Sequence, residues 1–103
     1  YTRLCGEDGT IGEALTMVSR TVRNRKENPK SGSYTNYLFD QGIDKILKKV
    51  GEETAEVIIA AKNNSSSELI YEVADLMYHL SVLLEERQLT WQDIAAELKG
   101  RAR

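Results

Sequence analysis

Five acids of this chain stand where two helices could bring them together: Glu52, Glu53 and Glu56 in one stretch, Glu72 and Asp75 in another. On a helix turning about 100° per residue, Glu53 and Glu56 lie about 60° apart and Glu52 about 40° from Glu56. Glu72 and Asp75 repeat the i, i+3 step, with His79 between them in projection. Both sets border an apolar stripe rather than the outer face. Glu56 precedes Asn63 by seven residues and Glu72 follows Ser65 by seven, so an antiparallel pair would bring them level. Carboxylates converging in a half-buried site repel one another and are costly to desolvate, which calls for a cation. All-oxygen ligation suits Mg²⁺, with water and phosphate completing its octahedron. A single His and no nearby Cys argue against zinc.

A plainer reading treats these as solvated helix acids, with Lys48/Glu52 and Lys49/Glu53 serving as i, i+4 pairs. The mirrored placement on two helices weighs against it. A phosphoanhydride substrate also needs cations. Lys45 and Lys49 share the side of Glu56, Lys48 lies toward the outer side, and Arg20, Arg23 and Arg25 are further candidates. The run Ser33-Tyr34-Thr35 offers hydroxyls and loop N–H groups to phosphate oxygens. His79 could contact substrate, ligate metal or only support a carboxylate. Trp91, Tyr71 and Tyr78 read as core or interface, and Cys5 as inert.

Four helical segments would carry these residues. Thr10 and Glu13 form a capping-box pattern ahead of Ile11, Leu15, Val18 and Val22, opening a helix over about 11–26 that Asn28-Pro29 stops. A second runs over about 36–63, with Gly42 a kink and Ile43, Ile46, Val50, Val57, Ala60 and Ala61 on one arc. Ser65 and Glu68 give another capping-box pattern, opening a helix over about 66–87 with Leu69, Val73, Leu76, Met77, Leu80, Leu83 and Leu84 inward. Thr90 and Asp93 cap a last helix over 91–99. Residues 1–9 read as an extended lead-in. The expectation is a single all-α domain over 1–103, four antiparallel helices completed as a bundle by a second copy.

The bulk numbers agree. The 103 residues carry 14 basic and 16 acidic side chains, net −2, with a pI near 5.4. That argues against nucleic-acid and anionic-membrane partners. One cysteine cannot form an internal disulfide, so a reducing cytoplasm is expected. No apolar run reaches the roughly 20 residues of a membrane span.

Taken together, Ser33-Tyr34-Thr35, Leu38, Gly42, Lys45-Ile46, the run Lys48 to Glu53 through Glu56, and Glu72-Val73-Ala74-Asp75-Leu76-Met77-Tyr78-His79 resemble the phosphoribosyl-ATP pyrophosphohydrolases of histidine biosynthesis. The wider group is the all-α MazG-type nucleotide pyrophosphohydrolases, with their E-E-x-x-E and E-x-x-D pattern. The resemblance implies a cytoplasmic, Mg²⁺-dependent homodimer that hydrolyses phosphoribosyl-ATP to phosphoribosyl-AMP and pyrophosphate by water attack at the α-phosphorus. It implies Glu52, Glu53, Glu56, Glu72 and Asp75 as metal ligands, a general base among the glutamates, and Lys48 and Lys49 as basic positions. A chain starting at Tyr1 also fits fusion behind, or association with, a phosphoribosyl-AMP cyclohydrolase. Competing readings are a pyrophosphohydrolase of dUTP, dCTP or aberrant NTPs, and a non-catalytic helical dimerisation module.

Overall fold

The computed structural model describes residues 9–101, which form five helices and no strand among the described residues. These are α1 (Ile11–Glu27), α2 (Tyr34–Gln41), α3 (Ile43–Lys62), α4 (Ser66–Glu86) and α5 (Trp91–Gly100). The all-α expectation holds. Of the expected lead-in over 1–9, residues 1–8 lie outside the described residues.

Four of the five helices begin where a side chain satisfies backbone N–H groups that have no intrahelical acceptor; α3, which follows Gly42, has no side-chain cap. Thr10 and Glu13 form the full reciprocal capping box on α1, and Thr90 and Asp93 do so on α5. At α4 only half of the expected box is present: the Ser65 hydroxyl accepts from the Glu68 N–H, and no return bond from the Glu68 side chain joins it.

The expected 36–63 helix is two helices. Ser33 caps the first by accepting from the Asn36 N–H, so it starts at Tyr34. Gly42 then breaks the path rather than kinking it, at φ 92° and ψ −177°. A Cβ would meet nothing within 4 Å there. Backbone conformation, not space, is what requires glycine.

α3 and α4 form the main antiparallel pair, joined by Asn63–Ser65, with α1 and α2 packed against them. The core takes one residue from each of four helices: Val22, Leu38, Ile46 and Val82, all at most 1% exposed. Val18, Phe39, Tyr78 and Leu83 pack around it. Arg23 reaches Glu85 at 3.4 Å and Lys26 reaches Glu86 at 3.8 Å, tying α1 to the end of α4. The α5 helix contributes no buried residue. Trp91 Nε1 donates to Ser81 Oγ at 2.9 Å and anchors its first turn.

This core is small for the apolar content. Ile58, Ile59, Ile70 and Tyr71 on α3 and α4 stay more than half exposed. No helix among the described residues is long and apolar enough to cross a membrane.

Candidate active site

The α3–α4 hairpin sets the site. Glu53 stands ten residues before Asn63 and Asp75 ten after Ser65, so the short turn brings them level. One oxygen of each and one ring nitrogen of His79 lie within 4.8 Å of one another. Glu53 is 8% exposed and His79 3%, while Asp75 is half-buried.

A buried carboxylate facing another acid favours its protonated form. Burial, then the facing Asp75 carboxyl, push Glu53 from its ordinary 4.5 to about 7, with Glu72 adding in the same direction. The Lys49 ammonium opposes this without cancelling it, standing 3.7 Å from Glu53 and 3.2 Å from Glu52. Its bond to Glu52 raises the Lys49 pKa in turn.

The sequence-derived residues separate around this centre. Glu53 and Asp75 meet directly and Glu72 is half-buried beside them, whereas Glu52 and Glu56 face solvent at the rim. Lys49 joins the acids. Lys45 instead lies over the Tyr37 ring at 5.6 Å, and Lys48 is exposed.

In the Ser33-Tyr34-Thr35 run every hydroxyl has a protein partner. Ser33 caps α2, Thr35 is buried with its Oγ1 2.5 Å from the Tyr78 hydroxyl, and the Tyr34 hydroxyl lies 2.9 Å from His79 Nε2. Burial raises the pKa of both tyrosines. For Tyr34, Lys49 pulls the other way and Tyr78, Asp75 and Glu53 add to the rise. Tyr34, Tyr37, Tyr78 and His79 form one aromatic group linking α2 to α4.

Two supports were not foreseen from sequence. Asn36 spans the Pro29 loop, its Nδ2 donating to the Arg25 carbonyl at 2.6 Å and its Oδ1 accepting from the Lys30 N–H at 2.8 Å. The Tyr78–Thr35 bond fastens α2 to α4. An asparagine six residues after a loop lysine carries no distinctive pattern.

Can these residues hold a cation? Glu53 and Asp75, with Glu72 nearby and the Glu53 carboxyl pushed toward neutrality by burial and its neighbours, form a donor set that a hard divalent ion relieves. An apolar groove of about 550 Å³ between α1, α4 and α5, lined by Leu15, Met77, Trp91 and Ile94, includes none of the acids. Chemistry points to the hairpin instead.

Comparison with known families decides the broader kinship: the phosphoribosyl-ATP pyrophosphohydrolase family matches residues 15–102. The chain belongs to this family. Its matched region contains every acid of the site. Among curated proteins, the phosphoribosyl-ATP pyrophosphatase of Listeria welshimeri is 64% identical over 87 residues, covering 84% of each chain. That of Limosilactobacillus fermentum is 62% identical over 87 residues, 84% of this chain and 82% of its own. A histidine biosynthesis bifunctional protein of Caldanaerobacter subterraneus subsp. tengcongensis is 58% identical over 95 residues. There the match spans 92% of this chain but 45% of the relative. The all-α MazG-like architecture of phosphoribosyl-ATP pyrophosphohydrolases agrees with the helices described above.

Proposed function

We propose that the chain hydrolyses phosphoribosyl-ATP to phosphoribosyl-AMP and pyrophosphate in histidine biosynthesis, with Mg²⁺ held by Glu52, Glu53, Glu56, Glu72 and Asp75. The observation that carries the reading is the buried Glu53 carboxyl facing Asp75 across the hairpin, with Lys49 alongside. The names of the Listeria and Limosilactobacillus relatives support the substrate.

When bound, Mg²⁺ supplies Lewis acidity toward phosphate oxygens and lowers the pKa of a coordinated water. The protein's own groups divide the remaining work. Glu53 and Asp75 form the floor of the site, and Glu72 adds charge beside them. Glu52 and Glu56 sit at the solvent side, where an incoming triphosphate arrives. Among the three glutamates of α3, Glu53 is the buried one facing Asp75, and the proton from water passes to one of the three. Lys49 balances charge on the departing pyrophosphate, with Lys48 and Lys45 further along α3. No covalent enzyme intermediate enters this scheme; positioning and electrostatics carry the rate.

A homodimer belongs to the same reading. Exposed Ile58, Ile59, Ile70 and Tyr71 supply an apolar surface that a second copy would cover. The remaining length of the bifunctional relative leaves room for a further domain. We assign the phosphoribosyl-AMP cyclohydrolase as the fused or associated partner, in a cytoplasmic setting.

The test is pyrophosphate release from phosphoribosyl-ATP set against dUTP, dCTP and other triphosphates, with and without Mg²⁺. Preference for a dNTP would replace the substrate. Calorimetry showing no Mg²⁺ binding beyond that of surface acids would favour the non-catalytic module. Glu53→Gln should abolish metal-dependent release while keeping the helical circular dichroism, and normal turnover in it would remove the site assignment.

A further inference from the structure

His79 invites reading as a third metal ligand, since two carboxylates and an imidazole within 4.8 Å also suit softer ions such as Zn²⁺. Its hydrogen bonds argue otherwise. Nδ1 lies 2.8 Å from the Asp75 backbone carbonyl, one turn back on α4. A carbonyl oxygen only accepts, so Nδ1 carries hydrogen and has no lone pair for a metal. In the neutral ring Nε2 is then the acceptor. Its partner, 2.9 Å away, is the Tyr34 hydroxyl, which must donate. Ligation through either nitrogen would break one of these bonds inside a ring site that is 3% exposed.

The same assignment fixes the chemistry of Tyr34, which is 44% exposed. With its proton committed to His79, its oxygen presents only lone pairs to the outside. Phosphate oxygens are also acceptors and cannot use it. A water, a sugar hydroxyl or an amino group can. We propose that His79 is a positioning residue outside the metal-ligand set, which holds Tyr34 so that its oxygen meets the substrate complex as a hydrogen-bond acceptor. The role in turnover rests on the pyrophosphohydrolase reading; the tautomer and the ligand set do not.

The edge-on packing of His79 against both Tyr34 and Tyr78 keeps the ring from turning. Tyr78 is itself tied to Thr35, so α2 is held to α4 at Tyr34 and at the residue after it. His79 therefore acts on the site from α4 through a side chain of α2.

The protein has one histidine, so ¹⁵N-histidine labelling gives a single imidazole to read by NMR. The expected pattern is a protonated Nδ1 and an unprotonated Nε2, kept when Mg²⁺ is added. The opposite tautomer, a doubly protonated ring, or coordination-type displacement of either nitrogen on Mg²⁺ addition would overturn the proposal. Mg²⁺ calorimetry on His79→Leu, which offers no donor atom, should leave Kd within a few-fold, whereas loss of a true ligand would weaken it far more. In turnover, Tyr34→Phe and His79→Leu should each cost about 10- to 100-fold in kcat, the range for residues that orient a site from behind. The double variant should lose no more than the worse single one, since both remove one unit. His79→Gln, whose amide oxygen can accept from Tyr34, should recover much of the loss. Losses that multiply, or no rescue by Gln, would overturn the positioning role. If the wild type turns over no phosphoribosyl-ATP, the function fails while the NMR and calorimetric results still decide the assignment of His79.

Discussion

Lys49 and Glu53 lie one helical turn apart on α3 with 3.7 Å between Nζ and Oε2, yet the lysine does not keep the carboxyl in its ordinary range. Burial and the facing Asp75 outweigh it, and the Glu53 pKa moves from 4.5 to about 7. Because the folded value is raised, the folded state holds a proton that the unfolded chain releases. The stability from Glu53 is fully present below about 4.5 and is lost as pH rises toward about 7. In chelator, the wild type should therefore fall in Tm relative to Glu53→Gln between about pH 4.5 and pH 7.5. Mg²⁺ should restore wild-type Tm mainly above that window. Parallel Tm–pH curves for the two proteins would contradict the buried, acid-facing placement.

Replacing Lys49 by Met separates charge balance within the protein from charge balance on substrate. With the ammonium gone, the acids repel more strongly, so Mg²⁺ should bind the free protein at least as tightly. Turnover should nonetheless fall roughly tenfold or more, the worth of one hydrogen bond to a charged group. Calorimetry and steady-state kinetics on the same preparation read both. Weakened Mg²⁺ binding with unchanged turnover would reverse the assignment.

Asn36 should be a stability residue rather than a chemical one. Asn36→Ala removes bonds to the Arg25 carbonyl and the Lys30 N–H and should cost about 1–3 kcal/mol. Thermal denaturation should show the drop while Mg²⁺ affinity at the hairpin stays unchanged. A loss of Mg²⁺ affinity with unchanged Tm would place Asn36 in the site itself.

The exposed isoleucines give a test of assembly. Ile59 and Ile70 are 51% and 52% exposed in the single chain. A glutamate at either would bury a charge if a second copy covers them, which is costly unless it is paired. Ile59→Glu and Ile70→Glu should sediment as monomers, or as a concentration-dependent mixture, under conditions where the wild type is dimeric. If both remain as associated as the wild type, the interface lies elsewhere.

Much of this architecture was legible in the sequence because helices announce themselves locally. Thr10 with Glu13, and Thr90 with Asp93, mark starts through bonds between residues three apart, and these appear as read. The pairing of acidic borders followed from the same logic, since a short Asn63–Ser65 turn leaves little freedom in level. What sequence could not give was depth. Projection placed Glu53 and Glu56 on neighbouring parts of one border, yet Glu53 is buried and Glu56 exposed. That difference depends on where α2 and α4 cover α3. The bonds of Tyr34 to His79 and of Thr35 to Tyr78 join residues more than forty positions apart, and no periodicity reports such pairs. Gly42 showed that a change of direction was due without revealing its size.

That glycine governs more than the helix count. Were residues 34–62 one continuous rod, Tyr34 would project roughly 13 Å beyond Ile43 along the axis, well past its partners on α4. The break at φ 92° lets those eight residues pack against both α3 and α4 and delivers Tyr34 to His79. A Cβ there would meet no neighbour within 4 Å, only an unfavourable torsion of about 1–3 kcal/mol. The alignment of α2's polar edge with the acids of α3 is thus controlled remotely. Drift at position 42 could detune the reaction centre while every acid in it stays unchanged.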